Sequence, residues 1–325
     1  MMVWLGLDGG GTKTEALVLS LEGARGFARG GPSNHQGVGL EQAVATIVEV
    51  ATDALRDAGV ESQAVRGAVL GLAGADFPED VESLRDGLKS RLTFPFQVVN
   101  DAEIALAAGT EKGWGIAAVA GTGGNVFGRN AAGERRQVGG LGYEWGDYGS
   151  GIDVARAVLH HAFRSAELRG EKTLLEPMVL TMLGFPDYES LSRAIYFHQL
   201  PEAAFLVLAP LCFQAAQQGD AVAVRILEDN GRAIAESVIG CARLLAMDHL
   251  SVDVVLAGSL WLGMAPHMRE AFDAVLATGL PRATARVTNL RPVAGAALMA
   301  ISAELPPPES LRNALRQDMR FSGVE

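Results

Sequence analysis

The sequence predicts an α/β protein of two domains, each a mixed sheet with flanking helices, with a cleft between the domains. Three observations support this fold class. Short apolar runs typical of strands alternate with amphipathic helix patterns in the first third of the chain. A glycine-rich hairpin near the N-terminus is repeated at residues 116–129. A length of 325 residues is enough for two domains.

The first hairpin joins apolar residues 3–7 and 16–19 through the turn Asp8-Gly9-Gly10-Gly11-Thr12-Lys13-Thr14. This turn is neither a Walker loop, which opens a helix with Gly-Lys-Ser/Thr, nor a Rossmann fingerprint, because Thr14 occupies the place of its third glycine. Its bare backbone N–H groups can bind an anion, and Asp8 can hold a hydrated Mg²⁺ at its mouth. The alternative is an ordinary glycine-rich hairpin with an Asp beside it.

The second hairpin has the same design. Residues 116–120 and 126–129 flank the turn Gly121-Thr122-Gly123-Gly124-Asn125. Two such hairpins suggest a duplicated domain that clamps a phosphate chain between its halves.

Hydrophobic periodicity and breaker residues predict the other elements. In the first domain we expect a strand near 25–28, a helix over 40–57, a strand over 68–72, a helix over 79–91 and a strand over 96–100. Residues 151–247 should be mostly helical, with one long helix within 221–246. Next come a strand over 253–257, a helix over 264–276, a strand over 286–288 and a helix over 293–302. We place the first domain at residues 1–111 and the second at 112–302, with a terminal helix within about 303–325 docking back on the first.

Composition excludes several classes of protein. The net charge is −11, from 27 basic and 38 acidic residues, and no basic run offers a nucleic-acid surface. Neither a secretory leader nor an apolar stretch of membrane-spanning length is present in this sequence, so we expect a cytoplasmic protein without a membrane partner. The two cysteines, Cys212 and Cys241, fit buried free thiols better than metal ligands.

The two hairpins resemble the phosphate loops of the actin, Hsp70 and sugar-kinase superfamily. Further segments resemble one branch, the N-acetylglucosamine kinases and the related BadF/BadG-type ATPases. These segments, in order, are residues 32–35, 71–76, 100–102, 139–142, 146–151, 216–220 and 258–261. The resemblance covers most of the chain. It implies two actin-like (ribonuclease H-like) domains, ATP and Mg²⁺ as cofactors, an amino-sugar substrate and a homodimer.

Asp101 is the strongest candidate for chemistry. It directly follows the predicted strand 96–100, at a carboxyl end that faces the cleft in an open α/β sheet. Local sequence alone favours a different role, the N-cap of the next helix. The resemblance implies the other role, a general base that accepts the proton of the acceptor hydroxyl.

The resemblance also implies a sugar site. The implied contacts come from Asn34, Asp101, Gly124, Asn125, Gly140, Leu141, Gly142 and Asp147. Leu141 stands where the family has Trp, and Tyr148 stands where it has Glu, so the preferred sugar is open. Residues 139–151 carry six glycines, which implies close backbone approach or irregular turns, and Ser150 is a candidate N-cap for the helix that follows.

A nucleotide site is implied in the same way, with Asp8 as the residue that orients the metal. The implied contacts are Gly10, Gly11, Thr12, Lys13, Gly121, Thr122, Gly123, Ala215, Gly258 and Ser259. Lys13 could instead be solvated. Ala215 occupies a position where the family has glycine. We expect Trp261 to be a packing residue.

These inferences converge on an ATP-dependent kinase that phosphorylates the 6-hydroxyl of N-acetylglucosamine. One alternative is a glucosamine or other hexose kinase with the same machinery. Another is a BadF-type ATPase that activates a dehydratase. That role needs an iron–sulfur cluster with Cys ligands near the second phosphate loop, where this chain has none.

Overall fold

The computed structural model describes residues 2–263 and 265–322. Two five-stranded sheets form within these residues. The strands in chain order are β1 (Val3–Gly9), β2 (Thr14–Ser20), β3 (Gly23–Gly30), β4 (Val65–Leu72), β5 (Phe96–Asn100), β6 (Gly115–Ala120), β7 (Gly124–Arg129), β8 (Arg135–Val138), β9 (Asp253–Ala257) and β10 (Thr284–Val287).

Helices cover both sheets. In chain order they are α1 (His35–Val38), α2 (Leu40–Asp57), α3 (Pro78–Lys89), α4 (Asp101–Gly109), α5 (Gly151–Ala166), α6 (Leu175–Leu183), α7 (Tyr188–Tyr196), α8 (Ala209–Gln217), α9 (Ala221–Leu244), α10 (His267–Gly279), α11 (Pro292–Ser302) and α12 (Glu309–Gln317). We call the sheet β1–β5 with the helices packed on it the first lobe, and the sheet β6–β10 with its helices the second lobe.

The two sheets have the same topology. Their strand orders are β3-β2-β1-β4-β5 and β10-β9-β6-β7-β8. In each, a three-stranded antiparallel meander is extended by two parallel strands that follow helical connections. Since β1–β5 correspond one by one to β6–β10, the predicted repeat of one fold unit is confirmed.

Register places both glycine turns at the same end of their sheets. In the first hairpin the ladder ends at Gly9 opposite Thr14, and in the second it ends at Ala120 opposite Gly124. Each turn is closed by one backbone hydrogen bond, from Gly10 N–H to the carbonyl of Lys13 (2.9 Å) and from Gly121 N–H to that of Gly123 (2.9 Å). The remaining turn N–H groups therefore stay outside the strand ladders.

The regular elements follow the hydrophobic pattern closely. The helix predicted over 40–57 and the strands predicted over 96–100 and 253–257 have the expected bounds. Helix α10 begins at His267, three residues later than predicted. The predicted start, Met264, lies outside the described residues. Among the described residues, none of the helices combines the length and apolarity needed to span a bilayer.

Two helices join the lobes. Helix α11 packs on β1 and β4 of the first lobe, while α4 packs on β6 and β7 of the second. The two helices touch so closely that a Cβ on Gly295 would lie 2.1 Å from the carbonyl oxygen of Ile104. The boundary predicted at residue 302 stays a prediction, and these contacts favour assigning α11 to the first lobe.

The C-terminal residues also return to the first lobe. Leu311, Leu315 and Phe321 are buried in one cluster with Trp4 and Leu17. This cluster lies on the face of the first sheet opposite α2, so α11 and the terminal segment cover a face that would otherwise be exposed.

Candidate active site

Both glycine turns open into one cleft of about 370 Å³ between the lobes. Most of the predicted site residues meet there. Those that line this cleft are Asp8, Gly10, Gly11, Thr12, Lys13, Asn34, Asp101, Gly121, Thr122, Gly123, Gly124, Asn125 and Gly140. The fold thus brings together residues from β1, β7, the start of α4 and the intervening loops.

Two further cavities adjoin the cleft. One of about 220 Å³ shares Gly124, Asn125 and Gly140 with it and lies beneath residues 139–151. The other, of about 390 Å³, shares Gly121 and Thr122 and extends along α8. The cleft therefore has one arm toward the predicted sugar loop and another toward the predicted nucleotide side.

The turn glycines leave room for a ligand. A Cβ built on Gly11, Gly121 or Gly123 would meet no protein atom within 4 Å. Because these residues line the cleft, such a Cβ would project into the space that a phosphate chain would use. Gly258 differs: its φ is +103° and a Cβ would lie 2.3 Å from the carbonyl oxygen of Ala120. Only glycine fits there, and it lets β9 end close against the second turn.

Asp8 ends β1 at the floor of the cleft. Burial raises the pKa of Asp8 to about 7, and the nearby carboxylates of Asp101 and Glu15 add to the rise. A cation beside Asp8 would offset the electrostatic repulsion between Asp8 and these two carboxylates. Carboxylates with space for water are the ligands that Mg²⁺ prefers, so the residues present fit a hydrated Mg²⁺.

Asp101 is the first residue of α4, and it is not the N-cap. That position belongs to Asn100, whose Oδ1 accepts a hydrogen bond from the backbone N–H of Ala102 (3.0 Å). The capping interpretation of Asp101 is therefore wrong, because the preceding side chain already performs this function. Burial and the neighbouring Asp76 raise the pKa of Asp101 to about 6, although hydrogen-bond donors at the helix start oppose the rise.

Asn34 is committed in part to local structure. It caps α1, with its side-chain oxygen accepting from the N–H of Gln36 (3.0 Å). The next residue, His35, places Nε2 3.2 Å from Oδ1 of Asp80 at the start of α3. The loop that presents Asn34 is thereby tied to the loop that follows β4.

Asp147 holds the glycine-rich loop together. Its Oδ2 accepts hydrogen bonds from the backbone N–H groups of Leu141 and Gly142, both at 2.8 Å. Leu141, Gly142, Asp147 and the half-buried Tyr148 all line the 220 Å³ cavity. The predicted N-cap at the end of this loop is confirmed, since Ser150 accepts from the N–H of Asp153 in a capping box.

The nucleotide side contains residues that the sequence did not single out. The 390 Å³ cavity is lined by Ser259, as predicted, and by other residues of mostly apolar character: Leu206, Pro210, Phe213, Gln214, Gln217 and Leu262. Four of these residues lie on α8, whereas Leu206 and Leu262 lie outside it, so no single sequence pattern marks the set.

Three of the predicted residues on this side need comment. Ala215 has no exposed surface, so a ligand in this cavity would contact Gln214 and Gln217 in its place. Trp261 is a packing residue, as expected, because its Nε1 donates to the carbonyl of Ala118 (3.1 Å) and its ring packs edge-on to Phe272. Lys13 lies 3.1 Å from Glu15 and is about half exposed.

Asp76 and Gln137 also escaped sequence reasoning. Both are partly buried between the lobes, where Oδ1 of Asp76 accepts from Gln137 Nε2 and from Asn100 Nδ2. Asp76 lines the cleft. The signal was available for Asp76, because it follows the parallel strand β4 as Asp101 follows β5, at the sheet edge where ligands bind. Gln137 carries no such signal.

Two sheets of one topology, joined by crossing helices and facing each other across a cleft with paired glycine turns, define the actin-like class of two-lobed proteins. Comparison with solved structures agrees. A candidate N-acetylglucosamine kinase from Chromobacterium violaceum superposes with a TM-score of 0.71 at 24% identity, over 92% of this chain and 99% of that one. A ROK family glucokinase from Streptomyces griseus, in complex with glucose and AMPPNP, gives 0.59 at 20% identity, over 92% and 99%. At these identities the likeness establishes the fold.

The chain belongs to the BadF/BadG/BcrA/BcrD ATPase family, whose pattern matches residues 5–300. It is 34% identical over 260 residues to an N-acetylmuramic acid/N-acetylglucosamine kinase of Clostridium acetobutylicum, covering 79% of this chain and 84% of the relative. It is 27% identical over 314 residues to an N-acetyl-D-glucosamine kinase of Dictyostelium discoideum, covering 93% and 98%.

Proposed function

We propose that this protein is an ATP-dependent kinase that phosphorylates the 6-hydroxyl of N-acetylglucosamine. The observation that carries the proposal is the placement of the Asp101 carboxylate in the same cleft as both glycine turns. The names of the two curated relatives support an amino sugar as the acceptor.

Asp101 accepts the proton of the attacking hydroxyl. Phosphoryl transfer asks a protein mainly for in-line positioning and neutralised charge, with a carboxylate to orient and deprotonate the nucleophile. Because Asn100 performs the capping function, the Asp101 side chain can act on a substrate without loss of the helix start. Its raised pKa makes it a stronger base than an exposed Asp.

The two glycine turns and Asp8 form the phosphate-binding part of the proposed site. Backbone N–H groups of residues 11–13 and 122–123 bind the β- and γ-phosphates from opposite lobes, and Thr12 and Thr122 add hydroxyl donors. Asp8 would hold a hydrated Mg²⁺ through water, and the bound ion would supply neutralisation of the phosphate charge. The base and ribose extend toward Gly258, Ser259 and the apolar wall along α8.

The sugar lies between the lobes at the other arm of the cleft. Asn34 and Asn125 provide amide groups that suit hydroxyls, while Gly124 and Gly140 let the ring approach the backbone. The substituent at carbon 2 enters the 220 Å³ cavity whose wall Leu141, Gly142 and Asp147 form. Closure of the lobes excludes water, which would otherwise accept the phosphoryl group.

Two alternative functions are a glucosamine or hexose kinase and an activator of a dehydratase. A glucosamine or hexose kinase would use the same cleft. The 220 Å³ cavity and the names of the two curated relatives favour an N-acetylated sugar. A dehydratase activator would need an accessible Cys-ligated cluster. Cys212 and Cys241 are completely buried, and burial raises the pKa of Cys241 to about 12, which opposes the thiolate that a cluster binds.

An ADP-release assay over N-acetylglucosamine, glucosamine, N-acetylmuramic acid and glucose tests the proposal, with ³¹P NMR to locate the new phosphate. We expect the highest kcat/KM for an N-acetylated sugar, a 6-phosphate product and no turnover in Asp101→Asn. ATP hydrolysis that no sugar stimulates would overturn it. The homodimer and the cytoplasmic location stay predictions.

A further inference from the structure

A hydrogen bond joins the two lobes across the cleft. The donor is Nε2 of Gln137 on β8 of the second lobe, and the acceptor is Oδ1 of Asp76, in the loop after β4 of the first lobe, at 3.0 Å. Gln137 Nε2 also lies 3.2 Å from the carbonyl oxygen of Gly139. The glycine-rich loop of the second lobe is thus connected to the floor of the first.

A second interlobe bond runs beside the first. Asn125 Nδ2 on β7 donates to Asn100 Oδ1 at the end of β5 (3.0 Å), and Asn100 Nδ2 donates to the same Asp76 oxygen (3.0 Å). The Asn125 bond ends on Asn100, the residue that caps α4 immediately before Asp101, and the Gln137 bond is connected to Asn100 through Asp76. A movement of the second lobe relative to Asp76 would therefore also shift Asn100 and the start of α4.

The network also contains an acceptor atom, on a residue that lines the cleft, that has no donor among the described residues. Oδ1 of Asn125 is buried and has no hydrogen-bond partner among the described residues. Asn125 lines both the cleft and the 220 Å³ cavity, and Asp76 lines the cleft. A buried acceptor without a donor is costly, which indicates that a donor from a ligand completes the network.

We propose that Asp76 and Gln137 are positioning residues that form a latch between the lobes, closing over a hydroxyl-bearing substrate and fixing the start of α4. This inference rests on the proposed kinase function. The substrate enters when the Asp76–Gln137 bond opens. Closure re-forms the bond, brings Asn125 Oδ1 onto a substrate hydroxyl and holds Asn100, and with it Asp101, in place. A charged acceptor makes this bond stronger than one between neutral groups.

Two substitutions test the latch: the first removes the hydrogen-bond donor, and the second restores the bond with donor and acceptor exchanged. In Gln137→Glu, a carboxylate faces the Asp76 carboxylate, so the lobes repel each other. We expect KM for the sugar to rise more than tenfold and sugar-independent ATP hydrolysis to increase several-fold, with KM for ATP within twofold of wild type. Adding Asp76→Asn restores one donor and one acceptor, because the amide at 76 can donate to the carboxylate at 137 and still accept from Asn100.

The double variant should therefore regain a sugar KM within about threefold of wild type, which a merely structural lesion would not do. Asp86→Asn, which removes an exposed charge from α3, is the matched control and should behave as wild type. An unchanged sugar KM in Gln137→Glu, or no rescue in the double variant, would overturn the latch.

Small-angle scattering of the ligand-free proteins separates this inference from the proposed function. If the wild type phosphorylates no sugar, the kinase proposal fails, and the latch still predicts a larger radius of gyration for Gln137→Glu that the second substitution reverses. Identical radii for all three proteins would refute the latch by itself.

Discussion

Asp8 and Glu15 lie directly opposite each other across β1 and β2, yet their surroundings differ. Oε1 of Glu15 is within 3.3 Å of cationic nitrogens of Lys13, Arg29 and Arg291. Asp8 has no such ion pair among the described residues, and it faces Asp101. Like charges on directly opposed strand positions repel. Three cations compensate the Glu15 carboxylate at close range, whereas Lys13 and Arg291 only partly oppose the rise in the pKa of Asp8, the residue that we propose as the metal ligand.

This difference predicts opposite effects of two similar substitutions. The folded-state pKa of Asp8, about 7, lies above the unfolded value near 3.8, so the unfolded chain loses this proton first as pH rises. Stability therefore falls between about pH 4 and 7, and the loss is complete above pH 7. Asp8→Asn should raise the free energy of unfolding of the ligand-free protein by on the order of 2 kcal/mol at pH 8, and by less at pH 5.5.

Glu15→Gln should instead destabilise by about 1–3 kcal/mol at pH 8, because it leaves the buried Arg291 and the half-exposed Lys13 and Arg29 with a weaker acceptor. Urea unfolding of both variants at the two pH values provides the measurement. A destabilised Asp8→Asn protein at pH 8 would contradict this account of the cleft floor.

Asp101→Asn should abolish turnover without loss of fold. The cap of α4 is Asn100, and the amide at 101 cannot accept the hydroxyl proton, so kcat should fall on the order of 10²–10⁴-fold while ATP still binds. Asn100→Ala should lower stability by about 1 kcal/mol through loss of the cap. Calorimetric ATP titration and thermal unfolding, beside the kinase assay, separate the two effects. Near-normal turnover in Asp101→Asn would remove Asp101 from the chemistry.

The rate should depend on pH through the same residue. With a pKa of about 6, Asp101 is a competent base only above that pH, so kcat/KM should fall about tenfold per pH unit below it. Asp76→Asn removes a negative charge that raises this pKa, so the acidic limb should move to lower pH. An acidic limb that stays in place in Asp76→Asn would show that Asp76 does not act on the base.

Both glycine turns should require the absence of a side chain. Gly11→Val and Gly123→Val should each weaken ATP binding roughly tenfold or more, equivalent to about 1.4 kcal/mol, because the new side chain occupies the path of the phosphates. Neither Cβ meets protein atoms, so both variants should fold. Gly240→Val on α9, equally free of contacts, is the control. Wild-type ATP affinity in both turn variants would rule out the clamp.

Tyr148 should influence the choice of sugar. It lines the cavity beside Asp147, and burial raises the pKa of its hydroxyl to about 12. Tyr148→Glu and the milder Tyr148→Phe should each change the ratio of kcat/KM between N-acetylglucosamine and glucosamine. In the binding mode that we propose, the two sugars differ in the group that enters this cavity. A ratio that neither variant alters would place Tyr148 outside the specificity pocket.

Much of this molecule follows from local sequence. The β-rich runs around each glycine turn, the amphipathic stripe of α2 and the apolar strand β9 each form the element that their pattern predicts, because burial of one face decides them. Asp8 was predicted as a site residue because it begins the first glycine turn, and Asp101 because it directly follows strand β5. The N-cap at Ser150 could be predicted because serine is a favoured capping residue and directly precedes a predicted helix.

Other features exist only in the folded chain. Whether Asn100 or Asp101 caps α4 depends on backbone geometry over three residues, and two adjacent residues with good capping propensity cannot be told apart by type. Ala215 is buried because α8 packs against α5 and α9, and this packing decides which face of α8 is covered. The partners of Glu15, and the Asp76–Gln137 bond, join residues from separate strands and lobes. The sequence thus determined the helices and strands and the candidate site residues at the strand ends. Tertiary structure decided which side chains form hydrogen bonds and ion pairs with each other, since these contacts depend on how distant segments approach.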